Sequence, residues 1–207
     1  MFDHVLREES RRDLAALTAL DCLRAFYLGG GTAIALHLGH RHSHDLDFFS
    51  QQPFAPDRLR DTLSASAALT IEQMSAGTLT GTFHRTKVGY FHYPYPLLKP
   101  AVVHAGVAVA DLLDLACMKA DAIQSRGTRR DFIDLYAICR AHIPLRQVLD
   151  AFAQKYRQVR FNRMHLLKSL MYFADAEQEP APDMLQEITW DSVTAFFERE
   201  VPPLIPS

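Results

Sequence analysis

Little in this chain points toward an oxidising compartment or a lipid bilayer. Cysteine is scarce. Cys22, Cys117 and Cys139 are odd in number and sit in apolar segments of helical pattern. That excludes a disulfide framework or a cysteine-rich zinc site and reads as buried thiols in a reducing compartment. No apolar run approaches the roughly 20 residues of a membrane span. The N-terminus, MFDHVLREESRRDLAAL, is charged and has no signal-peptide apolar core. A cytoplasmic protein without membrane contact is expected. Net charge is also lacking, since 22 Lys and Arg against 24 Asp and Glu leave −2, so no chain-wide basic field attracts nucleic acid. Internal repeats and low-complexity segments are absent as well.

What is present is enough for a packed domain. The 207 residues, 48% apolar and 22% charged, suit one well-buried domain or a domain with a helical extension. Basic residues gather locally at Arg126, Arg129 and Arg130, and again at Lys155, Arg157, Arg160 and Arg163. Such patches can hold a triphosphate or RNA, although the mixed charges around the second read more simply as a solvated face.

The informative stretch runs from Ala25 to Ser50, AFYLGGGTAIALHLGHRHSHDLDFFS. It reads as a short strand (Phe26 to Leu28), a triple-glycine turn, an apolar helix from Thr32 to Leu38, a basic turn and a second strand. Side chains alternate across a strand, so Asp45 and Asp47 face one way and Leu46 and Phe48 the other. Gly29, Gly30 and Gly31 allow positive φ and close approach of a ligand. Thr32 opens a helix whose free N–H groups suit phosphate. Paired carboxylates beside a phosphate cradle are suited to Mg²⁺ (or Mn²⁺), a hard cation that takes its remaining ligands from an NTP.

GGGT followed about a dozen residues later by DLDFF resembles the signature of the polymerase-beta-like nucleotidyltransferase superfamily. In detail, LGGGTAIALHLGHRHSHDLDFF is similar to the AbiEii/AbiGii branch, whose members include toxins of bacterial toxin–antitoxin and phage-defence systems. The resemblance continues more loosely to about Phe197. It implies an α/β (α+β) fold with a mixed or antiparallel sheet flanked by helices: a nucleotidyltransferase core over residues 1–110 and a helical part over 111–207 packed on it. It implies transfer of a nucleotidyl group from an NTP to a hydroxyl of RNA or protein, and a cognate antitoxin as a possible partner. Metal would sit on Asp45 and Asp47, and nucleotide on Gly30, Gly31, Thr32, Lys119 and Arg130. In this family a lysine precedes an Arg/Lys-Asp-x-x-Asp-Leu run, which here corresponds to Lys119, Arg130, Asp131 and Asp134. Catalytic roles are thereby implied for Asp45, Asp47, Lys119 and Asp131.

The residues themselves leave several of these roles open. Val5 to Arg24 has helical periodicity and reads as scaffold. Asp57 to Leu69 reads as an amphipathic helix with Leu59, Leu63 and Ala67 inward. Leu69 to Met74, Leu79 to His84 and Lys87 to Tyr93 read as strands extending the sheet antiparallel from the DLD strand. The proline tract YPYPLLKP must leave the sheet. Val107 to Val109 is a short strand, and Asp111 caps a helix reaching about Arg126. Lys119 lies on that helix's apolar stripe, either snorkelling to the surface or meeting a triphosphate. Asp131 lies in a helix beginning at Thr128, and Thr128-x-x-Asp131 also reads as a capping box. Helices follow over Leu145 to Tyr156, Asn162 to Ala176 and Trp190 to Arg199. The superfamily's third carboxylate is expected within Thr86 to Phe91, where the chain has Gly89 and no acid. Either Asp131 substitutes, or the fold serves as an interaction domain only. A third reading is a zinc hydrolase built on His40, His42 and His44 beside Asp45.

Overall fold

The computed structural model describes residues 1–66 and 69–205. Its centre is a seven-stranded mixed sheet in the order β3-β4-β5-β2-β1-β7-β6. These strands are β1 (Tyr27–Leu28), β2 (Leu46–Ser50), β3 (Leu69–Ser75), β4 (Thr78–Phe83), β5 (Thr86–His92), β6 (Val102–His104) and β7 (Val107–Val109). The helices are α1 (Glu8–Thr18), α2 (Gly30–Leu38), α3 (Pro56–Ser66), α4 (Leu112–Ser125), α5 (Arg129–Ala141), α6 (Leu145–Lys155), α7 (Arg163–Ser169), α8 (Ala174–Glu177) and α9 (Trp190–Glu200). None of them is long and apolar enough to cross a membrane, among the described residues.

Three sequence expectations change here. The strand after the β3–β4 hairpin joins β2 in parallel, not antiparallel, with Asp47 opposite Gly89. The reason is the crossover through α3. It carries the chain to the far edge, from which two antiparallel steps bring β5 back beside β2 running in the same direction. The N-terminal helix is also shorter than its periodicity predicts. It spans Glu8–Thr18 between two 3₁₀ turns, because Leu6 and Leu20 take extended backbone. The segment from Asn162 divides into α7 and α8, where Met171 and Tyr172 donate to carbonyls three residues back. Helix α3 is described over Pro56–Ser66; Ala67, expected inward on it, lies outside the described residues.

Buried side chains form one cluster from Val5 to Leu204. Helix α2 packs on α4 and α5, and α4 in turn contacts α6 and α7. The proline tract shows how departure from the sheet is tolerated. The Asp114 carboxylate accepts hydrogen bonds from the N–H groups of Leu98 and Lys99, and Lys155 Nζ reaches both Asp114 (2.7 Å) and the Pro96 carbonyl (2.8 Å). Lys155, expected on a solvated basic face, is thus fully buried and structural. Cys117 is buried, Cys22 and Cys139 are half-buried, and all three are free thiols.

Helix α2 stops at Gly39, whose φ of +63° suits glycine at a left-handed C-terminal cap. A Cβ there would lie 2.9 Å from the Phe2 ring. Gly39→Ala is therefore expected to cost about 1–2 kcal/mol, the left-handed penalty plus displacement of Phe2. The midpoint of urea unfolding checks this.

Candidate active site

The site forms where β1 turns into α2 and faces β2. Gly29 is the N-terminal cap of α2, and its N–H bonds to the Asp47 carbonyl (2.9 Å). The helix thus begins at Gly30, two residues before the expected Thr32. Its first turn leaves the N–H groups of Gly30, Gly31 and Thr32 without intrahelical acceptors. Gly30 has φ of +63°, and a Cβ on it would stand 2.7 Å from Asp47 Oδ2. The turn needs glycine both for its backbone and for the carboxylate packed against it. Thr32 does not aim its hydroxyl at a ligand: that group bonds to the Asp45 carbonyl and to Ser43 Oγ, tying the helix start to the strand entry.

Leu46 and Phe48 are fully buried, whereas Asp45 and Asp47 line one cleft of about 570 Å³ together with Gly31, Thr32, Lys119 and Asp131. Burial, and then the neighbouring Asp45, push the Asp47 carboxyl up to about 6, against the pull of Lys119, Arg126 and Arg130. Two close carboxylates, one of them penalised for ionising, form an oxygen donor set with surplus negative charge. That fits a hard divalent cation. The zinc reading finds no such support. No group of three or more His, Cys, Asp and Glu is placed to hold a metal, among the described residues, and His40 is buried on Asp134 (2.8 Å).

The raised carboxyl has a pH signature. A folded value near 6 against 3.8 means the folded metal-free protein binds more protons between these values, so stability falls as pH rises from about 4 to about 6. Asp47→Asn removes that fall. The variant should be more stable than the parent above pH 6 by about 2–3 kcal/mol, with the difference vanishing below about pH 4. Urea unfolding in chelator across pH 4–8 measures it.

Gly89 stands where a third carboxylate is expected, directly opposite Asp47 in the register. A Cβ on Gly89 would lie 2.5 Å from the Phe91 ring and 3.0 Å from Asp47 Oδ1, so no side chain fits without displacing Phe91.

Beneath the cleft lies a buried ionic cluster. Lys119, only 6% exposed, does not snorkel: its Nζ sits 2.8 Å from both Asp131 Oδ1 and Asp134 Oδ2. Asp131 also accepts from Arg126 and from the Thr128 hydroxyl, while Thr128 caps α5. Asp134 is clasped by the Arg41 guanidinium through two bonds, 2.7 and 2.8 Å. Burial opposes the charge on Asp131, but Lys119 and Arg126 outweigh it and hold this carboxyl well below the usual range. For Asp134, burial is likewise overcome by Arg41 and Lys119. Both aspartates are thus ionised and saturated with donors.

Arg130 is exposed on the rim of the cleft, as is Lys87 from β5. Lys87 and Arg41 escape sequence reasoning. The alternation of β5, which places Lys87 on the face of Gly89, is a signal for the first; nothing local marks Arg41, whose partner lies 93 residues away.

A family model described as "Nucleotidyl transferase AbiEii toxin, Type IV TA system" matches residues 12–103 and 95–206. An uncharacterized protein of Aquifex aeolicus (strain VF5) is 35% identical over 201 residues, covering 95% of this chain and 96% of that protein. Among solved structures, the nucleotidyltransferase toxin MenT4 of Mycobacterium tuberculosis H37Rv is similar with a TM-score of 0.63 at 14% identity, over 94% of this chain and 80% of that one. The antibiotic-resistance factor ANT(2'')-Ia is similar at 0.51 and 16% identity, over 73% and 94%. At these identities the structural likenesses establish a shared fold.

Proposed function

The chain belongs to the AbiEii nucleotidyl transferase toxin family, and from that premise we propose that it transfers a nucleotidyl group from an NTP to a hydroxyl of RNA or protein, as the toxin-like member of a toxin–antitoxin or phage-defence pair. The observation that carries this reading is the meeting in one cleft of the Asp45–Asp47 pair, the unpartnered N–H groups at the start of α2, and the cations of Arg126 and Arg130. Asp45 and Asp47 would hold Mg²⁺ or Mn²⁺, which when bound neutralises phosphate charge. The N–H groups of Gly30 and Gly31 orient the triphosphate, and Arg126, Arg130 and Lys87 balance the charge that gathers on departing pyrophosphate. The acceptor oxygen bonds to the α-phosphorus as the bond to pyrophosphate breaks on the opposite side, and the hydroxyl proton passes to water in the open cleft. Asp131, saturated by Lys119, Arg126 and Thr128, has no lone pair to spare for an acceptor proton. Its role is to hold Lys119 at the floor of the cleft and Arg126 at its edge.

A second reading, a fold that binds nucleotide without transferring it, is favoured by Gly89 in the third-acid position. Incubating the full chain with each α-labelled NTP, Mg²⁺ or Mn²⁺ and cell extract separates the two. Label that becomes nuclease-sensitive or protease-sensitive supports transfer and identifies the acceptor class. Saturable NTP binding without any transferred label selects the second reading, and absence of NTP binding overturns both.

A further inference from the structure

A second cavity, about 340 Å³, opens on the other side of Asp47 and shares Gly31, Asp47, Lys119 and Arg126 with the polar cleft. Its character is different. Phe49, Phe91, Tyr93 and Met118 supply aromatic and thioether surface. Phe49 lies 5.4 Å from Phe91 and 5.5 Å from Tyr93 between ring centroids, so the wall is a continuous aromatic patch. The Tyr93 hydroxyl is already engaged by Tyr156. One further charged group enters this apolar space from α4: Asp121. Among the described residues no group donates to its carboxylate, and only its backbone carbonyl is used, by Ser125 Oγ. A half-buried carboxylate beside aromatic rings, with no protein donor on it, keeps its oxygens open to a donor that enters the cavity. Burial raises its proton affinity.

We propose that this second cavity seats the base of the incoming NTP, and that Asp121 selects bases bearing an amino group over uracil. The inference rests on the nucleotidyl-transfer reading and extends it to substrate choice. The polar cleft gathers the cations that triphosphate requires, so the base end of the same molecule leaves toward the aromatic side, where π-faces are available for stacking. A carboxylate is an acceptor only. Cytosine, adenine and guanine each present an amino group to it, whereas the only ring donor of uracil lies between two carbonyl oxygens, one of which must then face the carboxylate.

CTP and UTP, equal in size, give the cleanest test. Equilibrium binding to the full chain with Mg²⁺ and without acceptor is measured for the parent, Asp121→Asn, Asp121→Ala and, in parallel, Asp47→Ala. The parent is expected to bind CTP at least about tenfold more tightly than UTP, the discrimination of one charge-assisted hydrogen bond. Asp121→Asn should bring the ratio within about threefold, chiefly by weakening CTP, because an amide offers both a donor and an acceptor. An unchanged ratio in Asp121→Asn, or equal affinities in the parent, overturns the assignment. If the parent binds both nucleotides equally and Asp47→Ala abolishes that binding, only the role of Asp121 falls. If the parent binds neither, the nucleotide site itself falls and the inference with it.

Discussion

Asp47→Ala is expected to lower nucleotidyl transfer by on the order of 10²–10³-fold or more, about 3–4 kcal/mol of transition-state stabilisation, and Asp45→Ala to do the same. Both carboxylates line the cleft into which the start of α2 points, and Asp47 packs against Gly30 so closely that a methyl group on that glycine would strike it. Removing either leaves one carboxylate for a cation that needs several hard ligands. The loss is not one of folding. The free protein is penalised for carrying the Asp47 charge, so the variants should unfold at denaturant concentrations no lower than the parent. Label transfer from NTP, paired with urea unfolding, checks both halves. A variant that keeps parental transfer rates would remove Asp45 and Asp47 from the chemistry, and one that is inactive only because it is unfolded would leave their role to the fold.

Asp134→Ala should act in the opposite way, on stability first, with a cost of about 3–5 kcal/mol. Its carboxylate has no exposure and answers Arg41, His40 and Lys119 at once. Without it, the Arg41 guanidinium loses its bidentate partner, and Lys119 keeps only Asp131. The effect reaches the site, because Arg41 lies against Gly31 in the first turn of α2. The acid side of the stability profile gives an independent reading. Asp131 and Asp134 have folded values well below those of free carboxyls, so the stability they contribute is complete above about pH 4 and is lost as pH falls through their folded values. Asp134→Asn should therefore show a shallower loss between pH 4 and pH 2 than the parent. A midpoint shift worth less than about 1 kcal/mol, with an unchanged acid slope, would show that the cluster does not hold the fold together.

The sequence by itself determined the parts of this protein whose causes are local. Three consecutive glycines before an apolar run specify a turn into a helix, because only glycine tolerates φ of +63° with Asp47 against its Cα. Alternation in DLDFF places Leu46 and Phe48 in the core and the two aspartates on the cleft, since the side-chain period of a strand is two. Thr128 and Asp111 announce the helices they cap. Tertiary structure alone decided what depends on distant partners. Whether Lys119 snorkels or is buried rests on Asp131 and Asp134 arriving from the next helix, and the meaning of Lys155 rests on a proline tract some 60 residues earlier whose N–H groups Asp114 must satisfy. The parallel pairing of β5 with β2 follows from the crossover through α3 and the two antiparallel steps after it, and it is this pairing that brings Gly89 opposite Asp47. Periodicity reports which side chains turn inward; which charges meet there is settled only when separate segments bury them together, because a buried ion is tolerated only where its counter-ion is also present.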